Sequence, residues 1–123
     1  MSLLRELVVE NYTAFKGVAS SGTPILTTVG GFRVYTGVSV SGSPLYTVSG
    51  NKLFSGMATS GMPLATLVGD LVFPKNSISG EPLGRLKNKI SVSGISGAGS
   101  ALATVPSGNI PTLFAATYHV LRG

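Results

Sequence analysis

The stretch SGMPLATLVGDLVFPKNSISG, Ser60 to Gly80, decides how this chain reads. It opens on Ser-Gly-x-Pro, continues through a leucine and a short apolar run, turns at Gly69-Asp70, and runs back through LVFP to the next opening phrase. The phrase begins four times, at Ser21, Ser41, Ser60 and Ser79, so the copies lie 20, 19 and 19 residues apart. A fixed period of this size marks a chain built by reusing one supersecondary unit.

Within each unit the chemistry is that of strands: short runs of Val, Leu, Thr, Tyr and Phe bounded by Gly, Ser and Pro. PLYTVS, PLATLV and PLGRLK read as first strands, and FRVYTGVSVS, KLFSGMATS, LVFPKNSIS and KISVSGIS as second strands. Between them fall Gly30-Gly31, Gly50-Asn51, Gly69-Asp70 and Asn88-Lys89. Gly30, Gly50, Gly69 and Asn88 are therefore expected to hold the turns, because glycine and asparagine tolerate the positive φ of primed hairpin turns. Tyr35, Phe54, Phe73 and Val92 share one repeat position. They would stack as a ladder in a β-solenoid, or sit on every second strand of a meander.

The expected fold is all-β: four repeats of about 19 residues, each strand-turn-strand, forming a meander barrel or sandwich, with a β-solenoid as the alternative. Residues 1–13 read as an N-terminal arm or short helix, with Leu3, Leu4, Leu7 and Val8 on one face. Residues 14–94 form the repeat domain. After Ile95 the repeat dissolves, and residues 95–123 read as a Gly/Ala/Ser-rich connection and a C-terminal strand, NIPTLFAATYHVLRG, within the same domain. Pro74, inside a second strand, suggests an edge or a bulge.

Charged residues make up only 11% of the 123, against about 25% in an average soluble chain. Yet no run is apolar enough to span a membrane. From Ile90 to Leu121 there is no Asp, Glu, Lys or Arg at all. This favours a surface that meets other protein, with that stretch as a subunit interface. There is no cysteine, which excludes disulfides and thiolate metal sites. Arg5, Glu6 and Glu10 break any signal-peptide core, so folding in the cytoplasm where the chain is made is expected.

The catalytic inventory is short: one histidine, His119, and four acids, Glu6, Glu10, Asp70 and Glu81. No serine sits in a nucleophile elbow, no acid pair stands at a hydrolytic spacing, and Gly97-Ala98-Gly99 lacks the third glycine of a dinucleotide loop. Asp70 reads as a turn former and His119 as a satisfied histidine. No enzyme activity, cofactor or metal is expected. The net charge of +5 gives one functional tilt. Arg85, Lys87 and Lys89 alternate and, before the turn, project from one strand face, with Lys75 nearby, as contacts for an anionic partner.

A short, cysteine-free, Gly/Ser/Thr/Val-rich chain with little charge resembles small structural proteins of bacteriophage virions, the head decoration (cement) proteins and fibre or spike modules. The phrase Ser60 to Asp70 is also similar to the repeated motif of metal-tipped spike-capping proteins. Those tips hold metal through histidines and cysteine, and this chain has one histidine and no cysteine. The virion resemblance implies a homo-oligomer, a trimer above all, bound to a capsid or tail lattice. The other readings are a basic nucleic-acid-binding β-barrel using Arg85, Lys87 and Lys89, and a receptor- or carbohydrate-binding adhesin with Tyr35 and Tyr46 as stacking platforms.

Overall fold

The computed structural model describes residues 11–18, 22–30, 32–38, 40, 42–93 and 101–122. The helix expected within residues 2–10 lies outside them. Among the described residues are ten strands: β1 (Asn11–Lys16), β2 (Leu26–Val29), β3 (Arg33–Thr36), β4 (Tyr46–Ser49), β5 (Lys52–Ser55), β6 (Ala65–Val68), β7 (Leu71–Pro74), β8 (Gly84–Lys87), β9 (Ile90–Ser93) and β10 (Ala101–Thr104). They are followed by one helix, α1 (Ile110–Arg122). Every strand pairs antiparallel with its sequence neighbours, and β1 pairs with β10, so the sheet closes into a barrel. The fold is thus the all-β meander barrel, and Asn11–Thr13 belong to its first strand rather than to an arm.

The four units are the hairpins β2–β3, β4–β5, β6–β7 and β8–β9. Ser49 pairs with Lys52, Val68 with Leu71 and Lys87 with Ile90, which leaves two-residue turns; Val29 pairs with Arg33, which leaves three. That one inserted residue explains why the first spacing is 20 and not 19. Gly30, Gly50, Gly69 and Asn88 all have positive φ, +69°, +63°, +63° and +57°. Asn51, Asp70 and Lys89, the second residues of the short turns, do not. Positive φ at the first central position alone is the pattern of a type II′ turn.

The repeat does not dissolve after Ile95. Thr47 pairs with Phe54 and Thr66 with Phe73, and in the same way Thr104 pairs with Phe15. The hydroxyls of Thr27, Thr47, Thr66 and Thr104 donate to the carbonyls of Gly37, Gly56, Lys75 and Gly17 over 2.5–2.7 Å. The backbone agrees: Gly37 donates to Ile25, Gly56 to Leu45, Lys75 to Leu64, and Gly17 to Leu102. Leu102-Ala103-Thr104-Val105 therefore takes the place of Leu45-Tyr46-Thr47-Val48, with β1 as its partner strand. The likeness hides in sequence because Ala101 stands where the other copies have proline.

The C-terminal segment is a helix, not a strand. Asn109 caps it, its Oδ1 accepting from the Thr112 backbone N–H at 3.1 Å and from the Thr112 hydroxyl at 2.7 Å. Pro111 sits in the first turn, where a missing N–H does no harm. Thr112 through Thr117 are all fully buried, six consecutive residues covering every direction around the axis. A helix buried on all sides lies inside something. Here it runs down the barrel, in contact with β1, β2, β4, β7, β8, β9 and β10. An eight-stranded barrel has room only for its own side chains, and two more strands widen it.

Alternation along each strand then assigns the faces. Leu26, Val34, Tyr46, Leu53, Ala65, Val72, Leu86 and Ala103 face the helix and form the core with Leu113, Phe114, Ala115 and Ala116. Phe15, Tyr35, Phe54, Phe73 and Val92 stand on the outer face, on every second strand, and are also buried. Pro74 ends β7 in a sheet without edges, paired with Ala65, and the register irregularity falls instead between Ala101 and Ala103. The uncharged run to Leu121 is now accounted for: its second half fills the chain's own barrel and is not free to form a subunit interface.

Gly84 marks the tightest approach. A Cβ there would lie 2.8 Å from the Val92 carbonyl oxygen and 3.0 Å from Thr117 Cγ2. Gly84→Val is expected to lower stability by about 1–3 kcal/mol through overpacking, measured by urea unfolding. At Gly50 and Gly69 a Cβ would meet nothing within 4 Å, so only the backbone conformation resists a side chain. Replacing either with Val should cost about 1 kcal/mol or more, and replacing it with Asn clearly less.

Candidate functional site

An up-and-down barrel has two ends, and in this chain they differ. One carries the tight turns and the start of α1. The other carries the long connections, four of which hold a Ser-Gly-x-Pro phrase, and the last turns of α1.

The tight-turn end is basic. Arg85 lies on the outer wall of β8 with its Nε 3.0 Å from Asp70 Oδ2, an exposed ion pair. Lys87 follows on the same face and Lys89 in the adjoining turn, both exposed. Arg33 opens β3 at the same end, whereas Lys52, which opens β5, turns its ammonium to Asn76 Oδ1 at 3.1 Å in the connection after β7. Lys87, Asn88, Lys89, Ile90, Gly108 and Ile110 border a shallow depression beside the helix start. Alternation thus brings Arg85 and Lys87 together as expected. Lys75 is not with them. It follows β7 at the opposite end of that strand, because a single strand carries the chain from one rim to the other.

At the long-connection end the exposed side chains are apolar. Val18, Val38 and Met57 occupy one repeat position, directly after Gly17, Gly37 and Gly56, and are 79%, 70% and 64% exposed. Val40, Met62 and Ile78 add to them from the same connections and are likewise exposed. The threonine-to-carbonyl bonds fix the residue just before each of these tips, which holds the tips out in solvent. Sequence reasoning missed this set. Its signal was an apolar residue recurring at intervals of 20 and 19 outside any strand.

Between the tips and the helix lies a hollow of about 340 Å³, bordered by Leu64, Pro74, Lys75, Leu83, Tyr118 and Leu121. Beside it, the Tyr46 hydroxyl and His119 Nδ1 are hydrogen-bonded at 2.8 Å, and Tyr118 meets the Tyr46 ring edge-on at 5.7 Å. His119 is thus satisfied within the fold. Among the described residues no group of three His, Asp or Glu side chains is placed to hold a metal ion. No helix among them is long and apolar enough to cross a membrane. Tyr35 and Tyr46 are 6% and 5% exposed, so neither offers the stacking face that a sugar-binding platform needs.

Comparison with family models, with curated proteins and with solved structures gives no match for this chain.

The Tyr46–His119 bond joins the wall to the end of the helix. Tyr46→Phe removes it while keeping the ring, and is expected to lower stability by about 0.5–1.5 kcal/mol in urea unfolding, with the far-ultraviolet spectrum unchanged.

Proposed function

We propose that this chain is a non-enzymatic structural protein of a virion-type assembly, a capsid decoration or fibre/spike component that docks through its long-connection end. The observation that carries this reading is the set of apolar tips, Val18, Val38, Val40, Met57, Met62 and Ile78, exposed together at one end of the barrel. Large apolar patches exposed on a protein surface mark contacts with other protein, and four successive connections of one rim contribute to this set. The low charge of the whole chain, 11%, supports the same reading. A homotrimer, with the tips turned inward or against a lattice, is the form proposed.

Light scattering at micromolar concentration should give a multiple of the 12.5 kDa chain mass. The triple variant Val38→Ser, Met57→Ser, Ile78→Ser should remain folded, since all three side chains are exposed, and should shift the particle toward monomer. A wild-type chain that stays monomeric and ignores preformed capsids and tails would overturn the proposal.

A second reading rests on the basic end of β8, where Arg85, Lys87 and Lys89 follow one another beside one acid, Asp70. A nucleic-acid binder of this kind would shift short oligonucleotides at physiological salt, and Arg85→Ser, Lys87→Ser, Lys89→Ser together would abolish the shift. No shift is expected from the wild-type chain; a micromolar shift lost in the triple variant would replace the structural reading with this one.

A further inference from the structure

At the residue that opens the long connections the repeat is broken once among the described residues, and the hollow lies there. Gly17, Gly37, Gly56 and Lys75 occupy the same position, each donating its N–H to the equivalent backbone carbonyl. All four have positive φ, between +51° and +66°. Glycine adopts that conformation freely, whereas lysine is strained in it. Three connections therefore use the unstrained residue and the fourth does not. Strain retained at one copy of a repeated position, when the other copies show the unstrained solution, points to a task for the side chain.

The surroundings say what that task is. Lys75 sits at the border of the hollow formed by Leu64, Pro74, Leu83, Tyr118 and Leu121. At about 340 Å³ the hollow is within the usual range for small-molecule sites, about 300–1,000 Å³. Among the described residues its lining is apolar apart from Lys75 and Tyr118, and no Asp or Glu borders it. Among the described residues Lys75 makes no ion pair. An apolar recess with one unpaired cation at its border complements one kind of molecule: an apolar body ending in a single negative charge.

We propose that this hollow binds an amphiphilic monocarboxylate, with the hydrocarbon against Leu64, Leu83 and Leu121 and the carboxylate on Lys75 Nζ. Met62, one of the apolar tips, also borders the hollow, but the proposal does not require the tips to dock on other protein.

The test uses the full chain, isotope-labelled, titrated with octanoate and followed by two-dimensional NMR, with octanol and octylamine as uncharged and oppositely charged probes. Shifts are expected at Lys75, Leu83, Tyr118 and Leu121, with octanoate at least fivefold tighter than octanol and octylamine weakest. Lys75→Gly restores the residue of the other copies, so it should fold at least as well. It should weaken octanoate at least fivefold and leave octanol unchanged. Hexanoate and decanoate then report the depth of the recess. The proposal is overturned if octanoate fails to bind at millimolar concentration, if its shifts map to Val38 and Met57 instead, or if Lys75→Gly leaves its affinity unaltered.

Discussion

The helix inside the barrel is the constraint on which the rest of the structure depends. Ten strands enclose more space than their own side chains fill, and α1 occupies it. A helical backbone fits only where small residues let it approach the wall. Ala115, Ala116, Thr112 and Thr117 supply them on the helix, and Ala14, Ala65, Gly84, Ser91 and Ala103 on the wall. Larger side chains, Phe114, Leu113, Leu26 and Leu53 among them, close the remaining gaps. Polar atoms trapped in this layer need partners. Thr28 and Thr112 bond one another at 2.5 Å, and Thr117 donates to the Leu113 carbonyl at 2.6 Å. The Ser91 hydroxyl is the exception, buried without a partner.

With the inner face committed to the helix, the outer face carries a second layer of burial. Phe15, Tyr35, Phe54 and Phe73 are covered although they point away from the core, and the threonines across from them tie down the start of each long connection. This second layer anchors the residue that opens each of four long connections, Gly17, Gly37, Gly56 and Lys75. At the long-connection rim it leaves six aliphatic or methionine tips exposed, while Arg85, Lys87 and Lys89 lie at the tight-turn end of β8.

Much of this was legible. The period came from the prolines, and the type of each tight turn from Gly50, Gly69 and Asn88, because local conformational limits act within two or three residues. What was not legible was non-local or ambiguous in period. Thr104 cannot be matched to Phe15 by inspection, since the partners of that pair come from opposite parts of the chain. LFAATYHV is apolar on both faces of a strand and on all sides of a helix, so alternation does not discriminate; the Asn109 cap and Pro111 do, and they were the signal to weigh. Arg85 and Lys87 were placed correctly by strand alternation, while the distance from Lys75 depended on knowing which rim each turn occupies. The apolar tips went unread because loops are expected to be polar, and the strain at Lys75 is invisible without its φ.

Closing the ring with β1 and β10 leaves the barrel with a seam. Every other neighbouring pair of strands is consecutive in the chain, whereas this one joins groups as far apart as Gly17 and Thr104, 87 residues. The seam has two registered pairs, Phe15–Thr104 and Lys16–Ala103, as do the joins β3–β4, β5–β6 and β7–β8. Loop closure over such a distance carries the largest entropic penalty in the fold. The helix follows β10 directly, so the ring must shut around a plug that arrives with its last stave. Unzipping β1 from β10 opens the ring around that plug without parting any two strands that are consecutive in the chain. The barrel is a clasp rather than a hoop.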